Sequence, residues 1–66
     1  MTLTVNGELR ELEGTTTLIA LLESFSLNPD ATAVQLNDDI LERETFPRVA
    51  LNDGDTVELI RIVGGG

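Results

Sequence analysis

An α+β fold is predicted for this chain, with one helix packed across one face of a mixed sheet of four to five strands. Segments that alternate apolar and polar residues stand near both ends of the chain, at Thr2–Val5 and at 56–62. Between them, one segment that starts at Leu18 repeats its apolar residues at helical spacing. A single apolar helix stripe needs a single apolar sheet face, so the other face of the sheet is expected to remain open.

The first elements are predicted to be the two strands of a hairpin. Thr2–Val5 alternates threonine with apolar residues, and Asn6-Gly7 is the dipeptide that most strongly favours a two-residue hairpin turn. The returning strand is expected over 8–13. Its apolar residues, Leu9 and Leu12, stand three apart rather than two, which predicts a bulge or leaves the register open.

The helix is predicted to begin after Thr17, whose hydroxyl can act as the N-cap. Its apolar stripe has the spacing i, i+3, i+4 and i+7 and consists of Leu18, Leu21, Leu22 and Phe25. Residues 26–32 include Asn28-Pro29, which ends the helix and predicts a loop.

The second half of the chain is predicted to return to the sheet. A third strand is expected over 33–37, a turn at Asp38-Asp39 and a short fourth strand at Ile40-Leu41. Residues 42–48 lack a clean period and favour a short 3₁₀ turn or an irregular segment, and 52–55 are expected to form a tight turn before the last strand. The order strand, strand, helix, strand, short strand, strand is that of the β-grasp, or ubiquitin-like, fold.

Composition excludes several classes of function. The chain has 66 residues and a net charge of −8, from four arginines and twelve acidic residues, which argues against binding nucleic acid through its phosphates. Because it contains no cysteine, it has no disulfide, thiolate metal site or cysteine nucleophile, and because it contains no histidine, it lacks the commonest general base and metal ligand. No apolar run is long enough to cross a membrane, and the first residues do not resemble a signal peptide. A cytoplasmic protein is expected.

The sequence ends in Gly64-Gly65-Gly66, directly after the last predicted strand. We therefore expect a β-grasp domain over 1–63 and a flexible tail over 64–66. Glycines add nothing to a core, but they leave the terminal carboxylate uncrowded on a thin tether that could enter an active site on another protein. The alternative is a frayed terminus, where small residues also gather.

The last strand has two different faces. If Val57 and Leu59 face the helix, alternation puts Ile60 and Ile62 on the open face beside the tail, where they could form a docking patch for a partner. The alternative is that Ile62 and Val63 fold back locally to complete the core.

Charged residues near these elements allow two interpretations each. Arg61 could pair with an acidic partner surface or remain a solvated strand charge, and Arg43 is expected to brace a carboxylate of a loop within its own fold. Asp53 and Asp55 have the spacing of a metal pair, but they stand in a turn that aspartate stabilises, so no metal site is expected.

Several segments together match one known family. They are the early turn at Asn6, Thr17 with Leu21-Leu22, Asn37-Asp38-Asp39-Ile40-Leu41-Glu42-Arg43, Phe46, Leu51-Asn52-Asp53-Gly54-Asp55-Thr56-Val57-Glu58 and Val63-Gly64-Gly65-Gly66. With them, the whole chain resembles the ThiS family of sulfur carriers in thiamin biosynthesis. The small subunit of molybdopterin synthase (MoaD) is the nearest rival, but its members are longer and approach the glycines through a Pro-Pro-Val type segment. A third glycine departs from the minimal Gly-Gly ending of the family.

The resemblance implies a chemistry for the tail. An E1-like adenylating enzyme of the ThiF type would use ATP and Mg²⁺ to join AMP to the Gly66 carboxylate. Sulfur from a donor such as a cysteine desulfurase would then give a thiocarboxylate, which thiazole synthase of the ThiG type would consume. Gly64 and Gly65 would thread into these partners, and Ile60, Ile62, Val63 and Arg61 would dock on them. The chain would be a co-substrate and not an enzyme, with no cofactor of its own.

Other functions remain open at this point. The same tail could carry sulfur to molybdopterin or to another product, or it could make the chain a ubiquitin-like modifier. The absence of lysine prevents chains that extend through the protein's own lysines, but it does not exclude single conjugation. A non-covalent binding module is a further alternative.

Overall fold

Five strands and one α-helix form the part of the chain that the structure describes, residues 1–13 and 16–63 of a computed structural model. The strands are β1 (Thr2–Val5), β2 (Glu8–Glu11), β3 (Thr32–Leu36), β4 (Asp39–Ile40) and β5 (Thr56–Arg61), and the helix is α1 (Leu18–Ser24). Two 3₁₀ helices lie at Pro29–Ala31 and Arg43–Arg48. Within these ranges no helix has the length and apolar character needed to span a membrane.

The strands form one mixed sheet in the order β2-β1-β5-β3-β4. β5 is the central strand; it runs parallel to β1 and antiparallel to β3, and the two remaining pairs are antiparallel. One helix packs against one face of this sheet, so the predicted α+β class and the β-grasp order of elements are confirmed.

The core lies between α1 and the covered face of the sheet. Its buried side chains come from the helix, from the three strands β1, β3 and β5 and from the segments that follow β4: Leu3, Val5, Leu18, Leu21, Leu22, Val34, Phe46, Leu51, Val57 and Leu59. Each fully buried leucine or valine contributes about 1.5–3 kcal/mol relative to exposure. Burial of the apolar helix stripe therefore fixes which face of the sheet is covered.

The helix begins and ends with specific backbone contacts. The hydroxyl of Thr17 accepts a hydrogen bond from the Ala20 amide at 3.1 Å, which confirms the predicted N-cap. The helix ends one residue before Phe25, which is only half-buried. Ser26 adopts a φ of 57°, and the Leu27 amide bonds back to the Leu22 carbonyl at 2.9 Å, an arrangement that closes the C-terminus.

The first hairpin corrects one expectation. Asn6 and Gly7 adopt φ values of 51° and 82°, as a type I′ turn requires, and this turn was predicted. The pairing runs regularly from Val5 with Glu8 to Thr2 with Glu11, so the predicted bulge is wrong. The spacing of Leu9 and Leu12 predicts a bulge only if both are strand residues. In the structure β2 ends at Glu11, and Leu12 packs against the core beyond the end of the strand.

The second hairpin turns one residue earlier than predicted. Asn37 and Asp38 have φ values of 48° and 74°, and Asp39 already belongs to β4. Asn37 is fixed by the neighbouring turn, because its side chain donates to Asp55 and accepts from the Thr56 amide, both at 2.9 Å. This contact between two turns is not visible in the local sequence. The 3₁₀ segment predicted over 42–48 is found at Arg43–Arg48 and buries Phe46.

Candidate functional site

The candidate site is the C-terminal end of β5, from which the chain continues to its last three residues. The predictions for Gly64, Gly65 and Gly66 lie outside the described residues. The geometry of the site is therefore that of the surface leading to them, up to Val63.

The two faces of β5 are as the alternation predicts. Val57 and Leu59 are 0% and 8% exposed and pack beneath the helix, whereas Ile60 and Ile62 are 58% and 46% exposed on the opposite face. Successive side chains of a strand point to opposite faces, and only one face here is covered. Two large apolar side chains thus lie in solvent directly before the tail.

Val63 shows that the chain does not fold back onto its core here. Its side chain is 87% exposed, so the alternative in which Ile62 and Val63 complete the core is wrong. The Ile62 amide donates to the Ala31 carbonyl at 2.8 Å, which extends the contact with the neighbouring segment one residue beyond β5. Val63 follows as an exposed residue at the edge of the ordered sheet.

Asn6 supports β5 from the other side, and sequence reasoning missed this role. Its side-chain amide donates from Nδ2 to the Leu59 carbonyl at 3.2 Å and accepts at Oδ1 from the Leu59 amide at 2.7 Å. We call this pair of bonds the Asn6 bridge. Asn6 was interpreted only as a turn residue, and no local signal reveals a partner 53 positions away.

The neighbouring strand β3 completes the support. Thr32 pairs with Arg61 and Ala33 pairs with Ile60, so β5 has a strand partner along its last residues. Thr32 is fully buried, and its hydroxyl donates to the Asn28 carbonyl at 2.7 Å. The strand that leads to the tail is therefore held on one side by β3 and on the other by β1 and the Asn6 bridge.

The two arginines near this end have different surroundings. Arg43 donates from Nε to the Pro29 carbonyl at 3.2 Å, so it braces a loop of its own fold, although the acceptor is a carbonyl and not the predicted carboxylate. Arg61 is exposed and makes no side-chain hydrogen bond or ion pair with the residues in 1–13 and 16–63.

The aspartates of the last turn act within the fold. Asp53 accepts from the Thr2 amide, while Asp55 accepts from the Asn52 amide at 2.8 Å and from Asn37. These bonds hold the turn before β5 against β1 and against the second hairpin. Both carboxylates therefore serve the turn, as their position in the sequence predicts.

In the described residues, the mixed five-stranded sheet with β5 at its centre and one α-helix across one face define a ubiquitin-like domain of the β-grasp class. Comparison with known proteins is more specific. The chain belongs to the ThiS family, whose model matches residues 3–66.

Individual relatives agree with this assignment. A protein named sulfur carrier protein ThiS from Thermus thermophilus is 39% identical over 62 residues, which are 94% of this chain and 95% of that protein. A crystal structure of the thiamine biosynthesis protein ThiS from Geobacter metallireducens superposes with a TM-score of 0.84 at 36% identity and full coverage of both chains.

A second kind of relative is longer. The whole chain is 36% identical to part of a protein named thiazole synthase from Paramagnetospirillum magneticum, of which it spans only 20%. The chain thus covers about a fifth of such relatives.

Proposed function

We propose that this chain is a sulfur carrier of thiamin biosynthesis whose Gly66 carboxylate is adenylated and then converted to a thiocarboxylate. The observation that carries the proposal is the match to the ThiS family, which extends through the terminal glycine at residue 66. The exposed apolar approach to that glycine, at Ile60, Ile62 and Val63, supports it as well.

The chemistry needs activation because a carboxylate is a poor electrophile. A ThiF-type enzyme transfers AMP from ATP to a Gly66 carboxylate oxygen and releases pyrophosphate; Mg²⁺ and ATP belong to that enzyme. Sulfide then attacks the acyl carbon and displaces AMP, which leaves the thiocarboxylate. If the sulfur arrives instead as the persulfide of a donor such as a cysteine desulfurase, its attack displaces AMP and gives an acyl disulfide, and a thiol then cleaves the S–S bond to release the thiocarboxylate and a disulfide. The chain supplies no cysteine or histidine to this sequence of steps, so it acts as a co-substrate and not as an enzyme.

The contribution of the chain is to deliver its terminus. In extended conformation the four residues from Val63 to Gly66 reach about 13 Å, at about 3.3 Å per residue. That length suits a path from a docked surface into an enclosed pocket, and glycine leaves room for the pocket to close. Ordering such a tail costs conformational entropy, which keeps binding reversible for a carrier that visits several enzymes.

The docking surface proposed for the activating enzyme consists of Ile60, Ile62, Val63 and Arg61. These side chains are exposed and adjacent to the tail. Ile60 and Ile62 lie on one face of the strand and Arg61 on the other, so the partner would contact both sides of the strand end. Apolar side chains in a cluster bind a partner by removing their surface from water.

Thiazole synthase of the ThiG type is the proposed acceptor of the sulfur. Support comes from the long relatives, in which a segment similar to this chain is part of a protein named thiazole synthase. We propose that the chain meets the ThiF-type enzyme and thiazole synthase in the cytoplasm.

The test is activation in solution. The full chain is incubated with the ThiF-type enzyme, ATP, Mg²⁺ and a sulfide source, and intact mass spectrometry is expected to record replacement of one oxygen by sulfur at Gly66. A chain with one alanine added after Gly66 is the matched control, since its terminal carboxylate lies one residue further out and is crowded by the alanine methyl group. An unchanged mass with an enzyme that activates its own carrier would contradict the proposal.

The acceptor is tested separately. The thiocarboxylated chain is offered to thiazole synthase with its other substrates and, in parallel, to the large subunit of molybdopterin synthase. Transfer of sulfur to the thiazole alone is expected. Transfer to the molybdopterin precursor alone would retain the carrier chemistry and reassign the product.

A further inference from the structure

The face of the sheet opposite α1 combines apolar side chains with one acidic side chain near its centre. Leu9, Ile40, Ile60 and Ile62 are all large, apolar and at least 46% exposed, and strand alternation directs them away from the helix. Glu58 lies on the same face of the central strand β5. We call this surface the open face.

The strand register places two of these apolar residues, Ile40 and Ile60, close to Glu58. Glu58 pairs with Gln35, which in turn pairs with Ile40, so Ile40 lies about 10 Å away across two strand spacings. Ile60 follows two residues later on the same strand, about 7 Å away. The carboxylate therefore lies beside the apolar patch that leads to the tail, and not at the rim of the domain.

The positive charges near this sheet belong to its other side. Arg10 pairs with Leu3, lies 5.5 Å from the centre of the Phe25 ring and contacts Glu8 at 3.8 Å. Arg61 alternates with Ile60, and Arg43 binds the Pro29 carbonyl. Within 1–13 and 16–63, Glu58 makes no ion pair and no side-chain hydrogen bond.

This charge distribution selects the kind of partner. A second copy of the chain on the open face would bring acidic side chains, Glu58 and Glu11, against the same residues of its mate, and the net charge of −8 adds to that repulsion. A wholly apolar partner surface would bury the Glu58 carboxylate without a partner, which is costly. A partner surface with apolar groups around one cationic side chain would cover the apolar side chains of the open face and pair with the Glu58 carboxylate.

Resting on the proposed function, we infer that the enzyme face that receives the tail carries an arginine or lysine that pairs with Glu58, within an apolar contact made by Ile40, Ile60 and Ile62. The apolar contact supplies most of the buried surface. The ion pair, once shielded from water by that contact, fixes the register in which the carrier docks and rejects surfaces without the cation.

The test is a binding titration of the full chain with the ThiF-type enzyme, using Glu58→Gln and Glu58→Lys. Glu58→Gln keeps the shape of the side chain and is expected to weaken binding by about tenfold or more, and Glu58→Lys by about a hundredfold or more, as for a shielded pair that loses one charge. Matched controls are Glu23→Gln and Glu23→Lys on the exposed side of α1, which change the net charge equally and are expected to shift the affinity by less than about threefold.

Folding is monitored in the same variants. Since Glu58 is exposed, the thermal midpoint of Glu58→Gln is expected to match that of the wild type. In a charge swap, the arginine or lysine of the enzyme that pairs with Glu58 is changed to glutamate. This enzyme variant is expected to recover binding of Glu58→Lys.

The outcomes separate this inference from the proposed function. If the wild-type chain is activated at Gly66 and both Glu58 variants bind as it does, the inference is wrong and the carrier function stands. If the Glu23 variants lose as much affinity as the Glu58 variants, the effect is one of net charge, and the inference is again wrong. If the wild-type chain is neither bound nor activated, the proposed function fails and the inference fails with it.

Discussion

The side-chain amide of Asn6 bonds to both backbone groups of Leu59, 53 residues further along the chain. β1 pairs with β5 only at Thr4 with Thr56 and Val5 with Val57, after which the chain turns away at Gly7. The Asn6 side-chain amide makes the two hydrogen bonds to Leu59 that the backbone of a further β1 residue would make, so it extends the pairing between β1 and β5 by one step. A turn residue thus supports the strand that leads to the C-terminal glycines.

Removal of the Asn6 bridge is expected to lower stability. Asn6→Ala leaves the Leu59 amide and carbonyl unpaired and puts a β-carbon at a φ of 51°, so we expect a loss of about 1–3 kcal/mol in chemical denaturation.

Asn6→Gly is the matched variant, because glycine accepts this φ and lacks only the bridge. Its loss relative to the wild type measures the two hydrogen bonds. If Asn6→Gly were as stable as the wild type, the bridge would contribute nothing to the fold.

The two faces of β5 are expected to respond differently to a carboxylate. Leu59→Asp puts a charge at a position that is 8% exposed beneath the helix, and we expect it to unfold the domain. Ile60→Asp and Ile62→Asp change exposed positions, so these variants are expected to fold and to bind the adenylating enzyme weakly. Circular dichroism with denaturant and a binding titration measure the two effects. Unfolding of Ile60→Asp together with a folded Leu59→Asp would reverse the assignment of the faces.

Changes to the tail are expected to abolish activation without loss of the fold. Within residues 1–13 and 16–63, the ten buried apolar residues of the core fall between Leu3 and Leu59, so deletion of Gly65 and Gly66 is expected to leave the thermal midpoint nearly unchanged. Adenylation, followed as pyrophosphate release with the ThiF-type enzyme, is expected to disappear. A large fall in the thermal midpoint would show that the last glycines pack against the domain.

Arg43 is expected to influence the end of β5 through the loop it braces. Arg43→Ala removes the bond to the Pro29 carbonyl, and the same 3₁₀ turn supplies the Ala31 carbonyl that accepts from the Ile62 amide. We expect a small loss of global stability, about 0.5–1.5 kcal/mol, and faster hydrogen exchange at the Ile62 amide.

Arg43→Lys is the control for charge, since it keeps the cation but not the guanidinium geometry. Exchange at Ile62 that matches the wild type in both variants would show that the brace does not reach the strand.

Much of the fold could be predicted because its signals are local. The helix stripe, the N-cap at Thr17, the Asn6-Gly7 turn and the two faces of β5 each follow from residues within a few positions of one another. The placement of Ile60 and Ile62 in solvent followed from the same alternation together with the presence of one helix. The family resemblance, which depends on the glycine terminus and the segments before it, was likewise contained in the sequence, and comparison with the ThiS family confirmed it.

The sequence by itself determined the elements, the covered face and the family; the tertiary structure decided what those elements bring together. The regular register of β2, the turn at Asn37 and Asp38, the carbonyl acceptor of Arg43 and the Asn6 bridge all depend on partners far away in the chain. Likewise, the position of Glu58 beside Ile40 and Ile60 on the open face becomes visible only when β3, β4 and β5 are aligned. Periodicity reports how a segment buries its own apolar residues, whereas hydrogen bonds between distant segments depend on the packed arrangement of the whole sheet.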